Sequence, residues 1–78
     1  PNPFNPSTMI NFTLKQQGKT MLKVYDIRGR VVATLIDQQM DAGSYTIKFH
    51  MPNLTTGVYF YKIESGDFVA IRKMIMVK

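Results

Sequence analysis

Few side chains in this chain could carry out proton transfer, and they lie far apart along the sequence. Acid–base catalysis needs two titratable groups that are held together and whose pKa values are driven apart by their surroundings. Four of the five acids lie in or beside predicted turns, where aspartate is favoured because it caps backbone N–H groups. The candidates are His50, Asp26, Asp37, Asp41, Glu64 and Asp67. Their spacing gives no support to an enzyme.

Metal and nucleophile chemistry also lack the residues that they need. The chain has one histidine and no cysteine, which excludes thiolate metal sites and disulfides. Ser7, Ser44 and Ser65 occur without a nucleophile-elbow motif or a partner base. The turn sequences Asp26-x-Arg28-Gly29 and Ser65-Gly66-Asp67 lack the regular acid spacing of a calcium loop. We therefore expect no catalytic residue, no metal and no cofactor.

The basic residues are the next candidates, because a net charge of +5 would suit an anionic partner. They are dispersed, and only Arg28 with Arg30 and Arg72 with Lys73 lie close together. Dispersed lysines on strands usually form a solvated face or protect a sheet edge from pairing. In Tyr59-Phe60-Tyr61-Lys62, strand alternation separates the phenylalanine from both tyrosines, so no aromatic platform for sugars or bases is predicted. We expect no nucleic-acid partner; weak attraction to an anionic surface is the alternative.

The elements that position these side chains are short strands, because apolar and polar residues alternate throughout the chain. The pattern predicts strands at 8–14, 20–26, 30–37, 44–50, 58–64 and 68–77, and a crossover loop at 51–56 that could carry one short edge strand. The segment 30–37 is apolar on both faces, which indicates either a central strand or a bulged one, and Arg72-Lys73 interrupts the last strand. The residues predicted to face inward are Ile10, Phe12, Leu14, Leu22, Val24, Tyr45, Ile47, Phe49, Tyr59, Tyr61 and Ile63.

Turn residues separate these strands at regular intervals. Asp26 to Gly29 reads as a type I turn with Gly29 in the left-handed position, and Gly18 is free to take positive φ. Tyr59 follows a crossover at the start of a late strand, where it could form a tyrosine corner. The pattern predicts an all-β fold, an immunoglobulin-like antiparallel β-sandwich of about seven strands.

The length of the chain sets the domain organisation. Seventy-eight residues make one domain, which buries only about 60% of the surface of its unfolded chain. A core of that size supplies no more than roughly 3–5 kcal/mol of net stability. We expect an extended proline-rich entry at 1–7 and a single sandwich at 8–78. No apolar run reaches the ~20 residues of a membrane helix and no signal peptide is visible, so we expect no stable membrane insertion.

Five motifs occur in order and span nearly the whole chain. They are Pro1-Asn2-Pro3-Phe4-Asn5-Pro6-Ser7-Thr8, Val24-Tyr25-Asp26-Ile27-x-Gly29-Arg30, Gly43-x-Tyr45, Gly57-Val58-Tyr59-Phe60-Tyr61 and the closing strand from Lys73-Met74. Together they resemble the C-terminal sorting domain of type IX secretion cargo, in its type A form. That domain is related to the immunoglobulin-like domain of the flagellar hook-cap family.

The resemblance implies a non-catalytic sorting signal at the C-terminus of a larger secreted protein. The type IX apparatus would recognise it and carry the N-terminal cargo domain from the periplasm across the outer membrane to the cell surface or the medium. In many cargoes a sortase-like surface peptidase then removes the domain, upstream of Pro1 here, and anchors the cargo to lipopolysaccharide. The positions that match family motifs are Pro1, Asn2, Pro3 and Phe4 at the entrance, Gly29, Gly43, Tyr45, Gly57 and Tyr59 inside the domain, and Lys73, Met74, Ile75, Met76, Val77 and Lys78 in the recognition strand.

We hypothesise that the segment from Lys73 to Lys78 contacts the apparatus, and that the last strand docks by adding to a partner's sheet. The main alternative is a passive immunoglobulin-like accessory module of a multidomain extracellular hydrolase, with carbohydrate binding as one form of it. A hook-cap assembly domain is the third interpretation.

Overall fold

Six strands make up the part of the chain that the computed structural model describes, residues 7–77. They are β1 (Ser7–Leu14), β2 (Gly18–Asp26), β3 (Val31–Met40), β4 (Gly43–His50), β5 (Gly57–Ser65) and β6 (Phe68–Met76). The alternation of apolar and polar residues gives these segments the period of two that places every second side chain on one face. The one proline of this region, Pro52, lies in the β4–β5 connection, where a missing N–H removes no ladder bond.

The strands form two sheets, and every pairing between them is antiparallel. β1 pairs with β4, and the second sheet has the order β3-β2-β5-β6. The chain therefore crosses to the smaller sheet after β3 and returns after β4. This arrangement confirms the predicted all-β antiparallel sandwich. Its immunoglobulin-like subtype stays a prediction.

The core is formed by the inward faces of both sheets. Leu22 and Val24 in the middle of β2 are fully buried, and the predicted inward residues Tyr45, Ile47 and Tyr61 are half-buried against the same cluster. The buried apolar residues are Ile10, Phe12, Leu14, Leu22, Val24, Ile36, Met40, Phe49, Tyr59, Ile63 and Met76. Alternation thus identified the inward faces of β1, β2, β4 and β5 correctly.

The number of strands is six in the described residues rather than about seven, and the crossover loop at 51–56 carries no short edge strand. In its place the β4–β5 connection contains a turn in which the Leu54 N–H donates to the Met51 carbonyl at 3.1 Å. Pro52 and the polar residues that follow it favour this turn over a ladder. No helix in residues 7–77 is long and apolar enough to cross a membrane.

β3 is an edge strand with two bulges, so the central-strand interpretation of 30–37 is wrong and the bulged one is right. Its register with β2 shifts between Leu22 and Lys23 and again between Val24 and Tyr25. Each bulge inserts an extra residue and reverses the alternation that follows it. That is why this segment looked apolar on both faces.

Two further expectations need correction. Gly18 begins β2, and the glycines with positive φ in the described residues are Gly29, Gly43 and Gly66. β6 is not interrupted at Arg72-Lys73, because its register with β5 runs unbroken from Phe68 to Met76. Arg72 is tolerated within the strand because its side chain is exposed to solvent.

Candidate recognition strand

The predicted recognition segment begins within β6, the edge strand of the four-stranded sheet, and its residues Lys73 to Met76 are the last four of that strand. Strand alternation divides its side chains between two faces. Met76 is buried and Met74 half-buried against the core. Ile75 is 63% exposed and Val77, just beyond the strand, is 67% exposed. The segment is therefore anchored by its methionines and presents its other apolar side chains to solvent, whereas Lys78 lies outside the described residues.

The two edges of the four-stranded sheet differ in how they are protected. Natural edge strands are usually blunted by bulges, prolines or charges that prevent further pairing. β3 has two bulges. β6 has no bulge and no proline along its nine residues, and it exposes Val69, Ile71 and Ile75 on one face. Only Arg72 and Lys73 interrupt its apolar character, so β6 is the edge better suited to accept another strand.

The Gly57-to-Tyr59 motif lies directly beside the recognition segment. Gly57 pairs with Met76 and Tyr59 with Met74 in the β5–β6 ladder. The Tyr59 hydroxyl donates to the Thr55 carbonyl at 2.7 Å, and the side chain is buried. A tyrosine hydroxyl that bonds to the backbone a few residues upstream is the geometry of a tyrosine corner. This motif therefore holds the start of β5 in place, and the end of β6 pairs with that part of β5.

The Gly29 motif closes the β2–β3 hairpin. Gly29 has a φ of 84°, and its N–H donates to the Asp26 carbonyl at 2.9 Å, as the turn prediction required. The Asp26 carboxylate accepts bonds from the backbone N–H groups of Arg28 at 2.9 Å and Arg30 at 3.0 Å, and from the Arg30 side chain at 2.9 Å. The backbone N–H of Arg30 is the main cause that lowers the pKa of Asp26 below its ordinary value.

The Gly43 motif lies on the other sheet, away from β6. The Tyr45 hydroxyl donates to the Asp41 carbonyl at 2.6 Å, and its ring stacks on Phe12 with centroids 5.4 Å apart. Gly43 has a φ of 153°, a conformation that side chains rarely adopt. The motif thus fixes the turn between β3 and β4.

The structure brings some motif positions together and separates others. The Gly29 turn and the start of β5 line one shallow depression of about 400 Å³, in which Arg28 and Arg30 face Thr55 to Tyr59. The Gly43 motif is separate from this depression. The entrance residues Pro1, Asn2, Pro3 and Phe4 lie outside the described residues, as does most of the proline-rich entry, whose last residue, Ser7, begins β1.

The titratable side chains do not converge on a reactive site within residues 7–77. Asp37 pairs with Lys19 at 3.0 Å, and Glu64 is 3.8 Å from Lys62. His50 is exposed at the end of β4. No group of three or more histidine, cysteine, aspartate or glutamate residues in the described part could hold a metal ion.

Sequence analysis missed one arrangement, on the outward face of the four-stranded sheet. Tyr25 and Phe60 are register partners there, and so are Lys23 and Lys62. Each residue was assigned to its own strand correctly, but only the pairing of β2 with β5 shows that they are neighbours. No signal in the separate strands could have revealed this.

Comparisons with known proteins identify the family. A family model described as the secretion system C-terminal sorting domain matches residues 1–78. No curated protein and no solved structure matches the chain significantly. The family match leaves the accessory-module interpretation without support. Since the match spans the whole sequence, the chain belongs to the family of C-terminal sorting domains of the type IX secretion system.

Proposed function

We propose that the segment from Lys73 to Lys78 is the element that the type IX apparatus recognises, and that β6, which includes Lys73 to Met76, docks by strand addition. The family supplies the general function: the domain is a sorting signal that directs a larger cargo chain to the cell surface or the extracellular space. The observation that carries the finer proposal is the edge of β6, which has neither a bulge nor a proline. It has an unbroken ladder on one side and exposed apolar side chains.

Strand addition suits this edge for a physical reason. An added strand gains main-chain hydrogen bonds from the free edge, and alternate side chains supply specificity. Ile75 and Val77 would provide the apolar contacts, and Lys73 the charge. Met74 and Met76, which point into the core, would keep the strand in place.

We further propose that the domain takes no part in catalysis, passes through the periplasm and is removed by a sortase-like surface peptidase upstream of Pro1. The described residues support the first point because their titratable groups cap turns or pair at the surface. Membership of the family supports the other two points.

The experiment is export of a reporter. Residues 1–78 are fused to a fluorescent protein that has a signal peptide, and the fusion is expressed in a host with type IX secretion and in a matched secretion-null strain. Reporter at the surface or in the medium of the competent strain alone is the expected result. Deletion of residues 73–78 should abolish export and leave the reporter in the periplasm.

Because that deletion removes buried methionines and could unfold the domain, a milder variant is needed. Ile75→Asp places a charge on an exposed position of β6 and leaves the core intact. Met9→Asp on β1 is the matched control, since Met9 is 55% exposed and Ile75 is 63% exposed. We expect folded protein in both cases and lower export for Ile75→Asp alone. Wild-type export of a folded Ile75→Asp variant would refute the role of β6.

A further inference from the structure

The outward face of the four-stranded sheet carries a group of three lysines. Lys23 on β2 and Lys62 on β5 are register partners, so their side chains lie directly opposite each other. Lys73 on β6 pairs with Phe60, which is two residues from Lys62, and is therefore a diagonal neighbour of Lys62. Cβ atoms of directly opposed residues are about 5 Å apart and those of diagonal neighbours within about 8 Å.

This arrangement works against the stability of the sheet. Like charges directly opposite each other on neighbouring strands are destabilising. Within residues 7–77 the nearest compensation is Glu64, whose carboxylate is 3.8 Å from Lys62, and Lys23 has no ion-pair partner there. Glu64 thus pairs with one of the three ammonium groups, at a distance near the outer limit of an ion pair. The described residues show no further ion pair that offsets this repulsion.

Apolar side chains lie beside the three lysines on the same face of the sheet. Tyr25 and Phe60 form the neighbouring cross-strand pair on one side, continued by Val31 on β3. Ile71, 57% exposed, is the register partner of Lys62 on β6. Aromatic side chains such as those of Tyr25 and Phe60 are enriched in protein interfaces.

We propose that this face, defined by Lys23, Lys62, Lys73, Tyr25 and Phe60 and called the lysine face below, is a docking surface for an acidic protein surface of the type IX apparatus. One or more partner carboxylates would lie among the ammonium groups, and apolar residues would pack on the two rings. The inference rests on the proposed function. The lysine face is continuous with the exposed side of β6 at Lys73 and Ile75.

Charge complementarity determines the chemistry of the partner, and burial favours a protein over a lipid surface. The Lys62 side chain is only 34% exposed, and Lys23 is half-buried among its neighbours. A protruding carboxylate of a protein can approach lysines whose aliphatic stems are packed among their neighbours. A planar layer of lipid headgroups meets best the cations that protrude furthest.

The test separates folding from docking, because relief of the repulsion should not weaken the fold. Lys23→Gln, Lys62→Gln and the double variant are made in the reporter fusion, with Lys48→Gln on the exposed face of β4 as the matched control. Urea unfolding should show unchanged or higher stability for the variants of the lysine face. Their export should fall, and binding of the double variant to the purified apparatus should weaken roughly tenfold or more.

A second measurement identifies the partner chemistry. A zero-length carbodiimide joins a lysine amine directly to a carboxylate, so the fusion mixed with the purified apparatus should give cross-links at Lys23 and Lys62. The double variant should lose those cross-links. Normal export of the folded double variant would overturn the proposal, as would lysine-dependent binding to vesicles that contain phosphatidylglycerol, or lysine-dependent formation of a homodimer.

The two proposals fail in distinguishable ways. If the wild-type fusion is not exported by the competent strain, the sorting function of this chain is wrong. If Ile75→Asp lowers export and the glutamine variants do not, β6 is the recognition element and the lysine face has no docking role.

Discussion

Asp26 shows how one side chain can define a turn at the scale of single residues. Its carboxylate accepts two backbone N–H bonds and one from the Arg30 side chain, and only 16% of the side chain is exposed. Sequence analysis assigned Asp26 to turn capping rather than to catalysis, and the hydrogen bonds agree with that assignment. Its motif position therefore reflects the geometry of the β2–β3 hairpin.

Asp26→Asn should lower the free energy of unfolding relative to wild type, and this loss should be larger at neutral pH than at acid pH. Hydrogen bonds hold the pKa of the folded carboxyl below its ordinary value, so the stabilisation is present above the unfolded pKa of about 3.9 and is lost as pH falls through the folded pKa. The difference in free energy of unfolding, measured with urea, should shrink as pH falls below about 4.

Asp67→Asn is the control, because Asp67 makes no side-chain hydrogen bond or ion pair within residues 7–77. A difference between wild type and Asp26→Asn that stays constant from neutral to acid pH would contradict the assignment.

At the scale of elements, two corners hold two of the crossovers between the sheets in place. Tyr59 and Tyr45 each donate a hydroxyl hydrogen bond to the carbonyl of the residue four positions upstream, Thr55 and Asp41 respectively. Both tyrosines follow a change of sheet, from β4 to β5 and from β3 to β4. The two bonds tie each connection to the strand that it enters.

Tyr59→Phe should destabilise the domain by about 1 kcal/mol, because the Thr55 carbonyl loses its donor in a partly buried site. Tyr61→Phe is the matched control, since the Tyr61 hydroxyl makes no hydrogen bond within the described part of the chain. Chemical denaturation of both variants measures the difference. Equal effects of the two substitutions would show that the corner bond contributes nothing to stability.

Sequence analysis predicted the elements better than their arrangement. Alternation is a local property, so Leu22, Val24 and Phe49 could be assigned to the core from their own strands. Which strand pairs with which is decided by long-range packing. The edge position of β3 and the meeting of Lys23 with Lys62 therefore emerged only from the structure.

At the scale of the whole molecule, the small core leaves little reserve of stability. A two-stranded sheet covers a four-stranded one, so part of β6 lacks cover on its inward side: Phe68 is 44% exposed and Arg72 is exposed. The fully buried side chains of β2 are therefore expected to carry a large share of the net stability.

Leu22→Ala should cost about 2–5 kcal/mol, which is comparable to the roughly 3–5 kcal/mol expected for the whole domain. Leu22 has no exposed surface and lies in the middle of β2. We expect most of the variant to be unfolded, as judged by circular dichroism and urea titration. Ile27→Ala, at a position that is 71% exposed, should unfold like wild type. A cooperative transition of wild-type stability for Leu22→Ala would show that the core lies elsewhere.

The β4–β5 connection has a mechanical consequence. Ser7 pairs with His50, and Gly57 pairs with Met76. Residues 51–56 join the two pairs and contain a turn, so they are too short to run the roughly 30 Å length of a nine-residue strand. The start of β1 and the end of β6 therefore lie at the same end of the sandwich. Tension between a cargo held at Ser7 and a receptor that grips the end of β6 would peel each strand away one hydrogen bond at a time. The domain would yield to a weak pull between these two points, and it would resist a pull applied between opposite ends of the sandwich.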